Sequence, residues 1–421
     1  MTAKWTILTY IAAHNNLEGL GQDSLEQIVG VGSSQDVIHG VLVDGSMGAD
    51  RILVGKPGKR RSEEHLAQFD SGDSNRLIET AAWLFEQQPA ERYGLILWSH
   101  GSGWRPEEIE RIGSESHGAG HVVAGEAERA AKTGSQVLFR STIEKMLAPA
   151  NQAERAVLFD DGTGHSLDTI ELGHVLSRIQ EITGRPLELL GMDACLMASL
   201  EVAYQIRRSA RYYVASEELV PGHSWPYDLI FGELAAHPEW TGDDLGRAVV
   251  RHYTDFYRDN PPQAGDVTKV ALDLAGVDAL AEAVSGLAGA LTAEMSDEAN
   301  AVWKAQTDSY RQETRANRRS PSKFNYRLWD IGSVARRLTG STSDPVASAA
   351  RAVLAALQPD GPAVLAEGHV GDWFDGIGGV SIYLMPPGDG NQISGYYDEV
   401  AFAQPPLRWL DFLRAYHAHF P

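Results

Sequence analysis

Residues 93–104 read Tyr93-Gly94-Leu95-Ile96-Leu97-Trp98-Ser99-His100-Gly101-Ser102-Gly103-Trp104. The run from 93 to 98 is apolar at successive positions, the pattern of a parallel strand covered on both faces. It ends in a histidine and a glycine-rich turn. Ligands gather outside the carboxyl ends of the strands of an open α/β sheet, so His100 stands where chemistry is done. Gly101 and Gly103 let backbone N–H groups come close to a ligand. A second segment repeats the arrangement: Leu187-Glu188-Leu189-Leu190-Gly191-Met192-Asp193-Ala194-Cys195-Leu196-Met197-Ala198. Here an apolar strand and a sharp turn at Gly191 lead to the single cysteine, Cys195, at the mouth of a helix expected over 196–208. A helix N-terminus favours the thiolate and lowers its pKa. A lone cysteine is otherwise a small buried hydrophobe. Placed at such a turn, with a histidine ending another strand, it becomes a candidate nucleophile.

Working outward, buried strands are expected at 5–12, 37–43, 51–54, 156–159 and 212–215, besides 93–98 and 187–192, with helices at about 75–88 and 168–182. Asp168 stands three before Glu171, the spacing of a capping box. Strand–helix alternation of this kind means a mostly parallel sheet with helices on both faces. Further on come a strand at 267–272, helices at 277–293, 327–338 and 344–357, a strand at 379–384 and a closing helix at 406–420. Two stretches break the pattern, 105–154 and 294–325. The first is too long for an ordinary connector in a compact domain. The division that follows is a core over 1–265 carrying the long loop 105–154, and a C-terminal α/β region over 266–421 packed on it.

Composition bounds the function. The chain has 421 residues, 43% hydrophobic and 22% charged, with a net charge of −21. Phosphate binding needs concentrated positive charge, so nucleic acids and anionic membranes are poor partners and basic substrates better ones. The basic run Arg315-Ala316-Asn317-Arg318-Arg319 reads as a solvated face against that background. One cysteine excludes a disulfide framework and a CxxC metal cage. The opening segment 4–13 carries two threonines and two aromatic residues, which suit a strand better than a signal-peptide core. The Ala/Leu-rich segment near 272–293 is interrupted by Asp278 and Glu282, so a cytoplasmic, non-membrane protein is expected. Other constellations fail on spacing. Phe159 stands where a phosphohydrolase of Asp-x-Asp-Gly-Thr type needs its aspartate, and His117 and His121 lack a third metal ligand. Ser102 has His100 where a G-x-S-x-G elbow needs glycine.

The segments around His100 and Cys195 together resemble the clostripain-like cysteine peptidases, relatives of caspases and gingipains. Four further stretches are similar to that family: 5–18, Phe69-Asp70-Ser71-Gly72-Asp73, Ala215-Ser216-Glu217-Glu218 with the loop 221–227, and 379–384. His14 departs from the family's commoner aspartate. The resemblance implies a caspase-like α/β/α sandwich with C-terminal α/β additions, and a cysteine endopeptidase cleaving protein or peptide substrates after Arg or Lys. It implies Cys195 as nucleophile, His100 as acid/base partner, and an oxyanion hole from the backbone of Gly101 and Cys195. Asp193 is the implied specificity acid, with Glu217 and Trp225 lining the same pocket. A carboxylate at a pocket floor suits a guanidinium or ammonium and rejects acids. The other reading of Asp193 is an N-cap for the helix after Cys195. The chemistry needs no cofactor. Calcium is possible by the family likeness, although no ordered calcium loop occurs. The loop 105–154 carries Arg129, Lys132, Arg140 and Lys145, so the intact chain is expected to be a zymogen cut there by itself or by an upstream protease. The alternative is a catalytically silent protein-binding scaffold.

Overall fold

The computed structural model describes residues 2–14, 17–67, 69–99, 167, 169–260, 267–309, 328–388 and 393–420. The expected strand at 156–159, the cap residue Asp168, the loop 105–154, His117, His121 and the basic run 315–319 lie outside the described residues, as do His100 and Gly101.

Among the described residues nine strands form one sheet. They are β1 (Ala3–Ala12), β2 (Val37–Gly45), β3 (Gly48–Val54), β4 (Arg60–Leu66), β5 (Ala90–Trp98), β6 (Leu187–Asp193), β7 (Ala210–Ala215), β8 (Val267–Asp273) and, after a short β9 outside the sheet, β10 (Val364–Val370). Their order is β10-β8-β7-β6-β5-β1-β2-β3-β4. The five middle strands, β2-β1-β5-β6-β7, are parallel, and both edges are extended by antiparallel pairs. A parallel ladder is buried on both faces, which is why β6 is closed to solvent at all its positions.

Strand alternation assigns the layers. His39 of β2 packs its ring on Phe231, with centroids 4.4 Å apart. Its neighbour Gly40 faces the other way, where an added Cβ would lie 2.6 Å from Leu84. Successive strand residues point to opposite faces, so α2 (Ser74–Gln87) and the helix Tyr227–Ala236 cover opposite sides. The first face continues with α3 (Thr169–Thr183), α4 (Leu200–Ile206) and, further along the chain, the helix Val277–Ala293. The second holds α1 (Glu18–Val31), α5 (Tyr227–Ala236) and α6 (Gly242–Asp259). This three-layer arrangement with a mostly parallel sheet is the expected fold class. Helix starts follow side-chain chemistry: Asp73 accepts from the Asn75 N–H, and Thr241 and Asp244 form a capping box.

The edge strand β4 is almost wholly exposed but heavily charged. Arg51 pairs with Glu64 at 2.6 Å and His65 with Asp50 at 2.8 Å across the β3–β4 ribbon. Charged edges discourage pairing with another chain's strand. Beyond β8 come α7 (Val277–Ala293), α8 (Met295–Asp308), β9 (Leu328–Asp330), α9 (Ile331–Leu338), α10 (Asp344–Ala356), β11 (Ser381–Tyr383) and α11 (Trp409–His419). Among the described residues one stretch, Leu274–Ala293, is long and apolar enough to cross a membrane by composition, but half of its apolar window is buried inside the molecule.

Three expectations are corrected. The helix expected over 196–208 starts only at Leu200, because Leu196 takes a left-handed φ of 64° and Ser199 caps the helix through the Val202 N–H. The segment expected as helix from 327 opens as β9, paired antiparallel with β11, and its last residue, Asp330, caps α9. The strand expected at 379–384 shortens to Ser381–Tyr383.

Candidate active site

The parallel register aligns the strand ends. Ile11 is level with Trp98, Trp98 with Asp193, and Gly191 with Val214. The Ser99 N–H donates to the Asp193 carbonyl at 3.3 Å, so β5 leaves the sheet one residue before His100, at the edge where β6 gives way to Cys195.

The segment after β6 is irregular but tightly held. Leu196 N–H donates to the Glu218 carbonyl at 3.3 Å, and Ala198 N–H to that of Ser216 at 2.9 Å. Ser381 N–H of β11 donates to the Ala198 carbonyl at 2.9 Å. Within this brace Cys195 is only 4% exposed, and its Sγ accepts from the Val220 N–H at 3.2 Å. Burial pushes the thiol up to about 12, reinforced by the carboxylates of Glu218 and Asp193 and opposed by the Val220 N–H and by Lys269. The expected dipole activation is therefore corrected: α4 begins five residues further on, and Cys195 does not stand at its N-terminus. The thiol is in a closed, protonated state.

Asp193 is enclosed. Its Oδ2 accepts from Trp225 N–H at 3.1 Å, from the Tyr227 hydroxyl at 2.8 Å and from the Ser224 hydroxyl. Trp98 Nε1–H in turn donates to Ser224 Oγ at 2.6 Å, and Tyr257 donates its hydroxyl to the Ser224 carbonyl at 2.9 Å. Oδ1 meets no donor among the described residues. Burial raises the Asp193 pKa, and Lys269 and the three donors act against it. This carboxylate caps no helix, since the cap of α4 is Ser199. Trp225 is wholly buried beside Tyr227, so the loop that carries it closes over the acid. Glu217 is also wholly buried, and its N–H, like that of Glu218, donates to Thr268 Oγ1 at 3.0 Å. Burial raises the Glu217 pKa, helped by the nearby carboxylates of Asp330, Glu218 and Glu367. Its side chain thus belongs to an acidic cluster with Glu218, Glu367 and Asp330, the last residue of β9.

A residue not anticipated from sequence is Lys269 of β8, fully buried with its Nζ 4.0 Å from the Tyr253 ring centroid and 5.0 Å from that of Trp225. A charged residue inside the otherwise apolar run Val267-Thr268-Lys269-Val270-Ala271-Leu272 is the signal that could have found it. Among the described residues no three His, Cys, Asp or Glu side chains converge in a way that could hold a metal ion.

The comparisons with known proteins agree with one another. A model of the clostripain family matches residues 9–114 and 141–413. Clostripain of Hathewaya histolytica is 25% identical in a 269-position alignment that covers 55% of this chain and 42% of that protein. The match therefore spans less than half the length of that relative. A secreted C11 cysteine protease from Bacteroides thetaiotaomicron, solved with an irreversible peptide inhibitor, superimposes with a TM-score of 0.62 at 18% identity, covering 98% of this chain and 99% of that one. An inactive zymogen C11 protease from Parabacteroides distasonis gives 0.61 at 17% identity, covering 96% and 97%. At these identities the solved structures speak for the fold.

Proposed function

The chain belongs to the clostripain family of cysteine peptidases, and on that premise we propose that it is an endopeptidase that cleaves peptides after Arg or Lys through Cys195 and His100. The observation that carries this reading is the alignment of Trp98 with Asp193, which brings the exit of the His100 strand beside the Cys195 segment. In the reaction His100 takes the thiol proton, and the thiolate of Cys195 attacks the scissile carbonyl. Backbone N–H groups of Gly101 and Cys195 hold the developing oxyanion. His100 then passes the proton to the leaving amine, and water hydrolyses the thioester. Asp193, two residues before the nucleophile, supplies the negative charge that favours a basic P1 side chain.

The buried thiol supports a second part of the proposal, that the intact chain is a resting zymogen. Cutting within 105–154, by the enzyme itself or by an upstream protease, would free the site. A cytoplasmic location draws no support from the relatives, of which the Bacteroides thetaiotaomicron protease is described as secreted. The test is a panel of fluorogenic peptides with Arg, Lys, citrulline or Asp at P1, run on wild type and Cys195→Ala. Wild type, and not the variant, is expected to cleave the Arg and Lys peptides best, the citrulline peptide more slowly and the Asp peptide not at all. N-terminal sequencing of fragments from both proteins separates self-processing from cutting in trans. Turnover by Cys195→Ala would end the cysteine-peptidase reading, and a preference for Asp would end the assignment of Asp193.

A further inference from the structure

We propose that Lys269 is the built-in counter-ion of Asp193 and a specificity-determining residue, setting how much of that carboxylate's charge a P1 side chain can use. The inference rests on the reading of Asp193 as the P1 acid and adds a second charge to that site.

Lys269 has no exposed surface, and its ammonium has no hydrogen-bond acceptor among the described residues. It rests on the faces of Tyr253, at 4.0 Å, and Trp225, at 5.0 Å. Trp225 is also the residue whose N–H binds Asp193 Oδ2 at 3.1 Å, so ammonium and carboxylate flank one tryptophan. On the acid's side, Oδ1 has no donor among the described residues. A buried charge is tolerated only when another charge or strong polar contacts balance it. Cation–π contact offsets a part of the cost for lysine. Burial lowers the Lys269 pKa to about 7, with Asp193 and then Cys195 acting against it. Lys269 in turn acts against burial at Asp193, so the two charges support each other below neutral pH.

The consequence concerns substrates. A bare carboxylate at a pocket floor strongly favours a guanidinium over a neutral side chain of the same shape. One already balanced by an ammonium offers less, and an entering cation also meets repulsion from Lys269. The preference for basic P1 residues is therefore shallow, and long neutral side chains are accepted beside them.

The experiment compares kcat/KM at pH 6, where Lys269 holds its proton, for paired peptides with Arg or its neutral isostere citrulline at P1, using active wild type, Lys269→Met and Lys269→Arg. Methionine keeps the length and suits the aromatic walls. The Arg-to-citrulline ratio should rise roughly tenfold or more in Lys269→Met and stay close to wild type in Lys269→Arg. An unchanged ratio in folded Lys269→Met overturns the inference. The basic-P1 reading is judged separately, by whether wild type cleaves the Arg peptide at all. The counter-ion role is also read without turnover, from thermal unfolding of Lys269→Met, Asp193→Asn and the double variant. Each single change strands one buried charge, so the double variant should melt above Lys269→Met. If it melts lower, by the sum of the two single losses, the two groups are independent and the inference fails.

Discussion

Cys195 is held in the least reactive form available to a thiol, shut from water beneath Val220. With its pKa at about 12, roughly one molecule in ten thousand carries a thiolate at pH 8, against about a quarter for an ordinary cysteine. Iodoacetamide attacks the thiolate. The intact chain should therefore alkylate roughly a thousandfold more slowly than the same chain in urea, and the activated enzyme should alkylate rapidly. Mass-spectrometric time courses at pH 8 check this, and labelling of the intact chain at the denatured rate would mean the thiol is not closed in solution. Asp44 illustrates a different effect of burial, which pushes its carboxyl up to about 6, with Ser71 and His14 acting against it. The native state thus disfavours the charged form. Below about pH 4 both folded and unfolded chains hold the proton and there is no penalty; from there to about pH 6 only the unfolded chain releases it. The penalty is then complete, at most roughly 3 kcal/mol for two pKa units. Asp44→Asn should match wild type in Tm at pH 4 and exceed it at pH 7.5. Equal curves at both pH values would show that this burial carries no such penalty.

At the scale of elements, α4 decides how the nucleophile segment is anchored. Ser199→Ala removes its cap and should cost about 1 kcal/mol. Two residues on, in the same first turn, Glu201 Oε1 accepts from the Tyr383 N–H and the Tyr397 hydroxyl, both at 2.9 Å and both buried. Glu201→Ala strands these two donors and should cost roughly 2–5 kcal/mol, clearly more than Ser199→Ala in urea denaturation. The same region shows what sequence reading can and cannot reach. The parallel strands were legible because two-sided burial demands unbroken apolar runs, as at 93–98 and 187–192. The edge strands β4 and β10 were not, since Arg60-Arg61-Ser62-Glu63-Glu64-His65-Leu66 has no apolar face and pairs through charges. The start of α4 was misplaced because residues 196–198 are apolar and helix-compatible, yet backbone bonds to Ser216, Glu218 and Ser381 hold them irregular. Such tertiary bonds leave no local trace, although Ser199 is a visible cap. The positions of Asp193 and Cys195 at a strand's end were legible; the closure of both, and the ammonium of Lys269, depend on residues far away in the chain.

Over the whole molecule the charged β3–β4 ribbon ends the sheet at one side. Replacing Glu63 and Glu64 with valine leaves the backbone edge but removes its carboxylates, and should produce concentration-dependent association by light scattering. A protein that stays monomeric would assign the protection of that edge to something other than its charges. The brace on the Cys195 segment reaches further in its meaning. Two of its supports, the Ser381 N–H and the Tyr383–Glu201 contact, come from residues made nearly two hundred positions after the nucleophile. During translation the emerging chain holds its cysteine and histidine long before it holds those supports. A ribosome-bound fragment ending before residue 381 should therefore lack an ordered nucleophile segment, detectable as rapid chymotrypsin cleavage near Leu196 and Met197 compared with the finished chain. The order of synthesis thereby becomes a safeguard of its own, because a growing chain cannot order its nucleophile segment on the polysome until the strand Ser381–Tyr383 has been made.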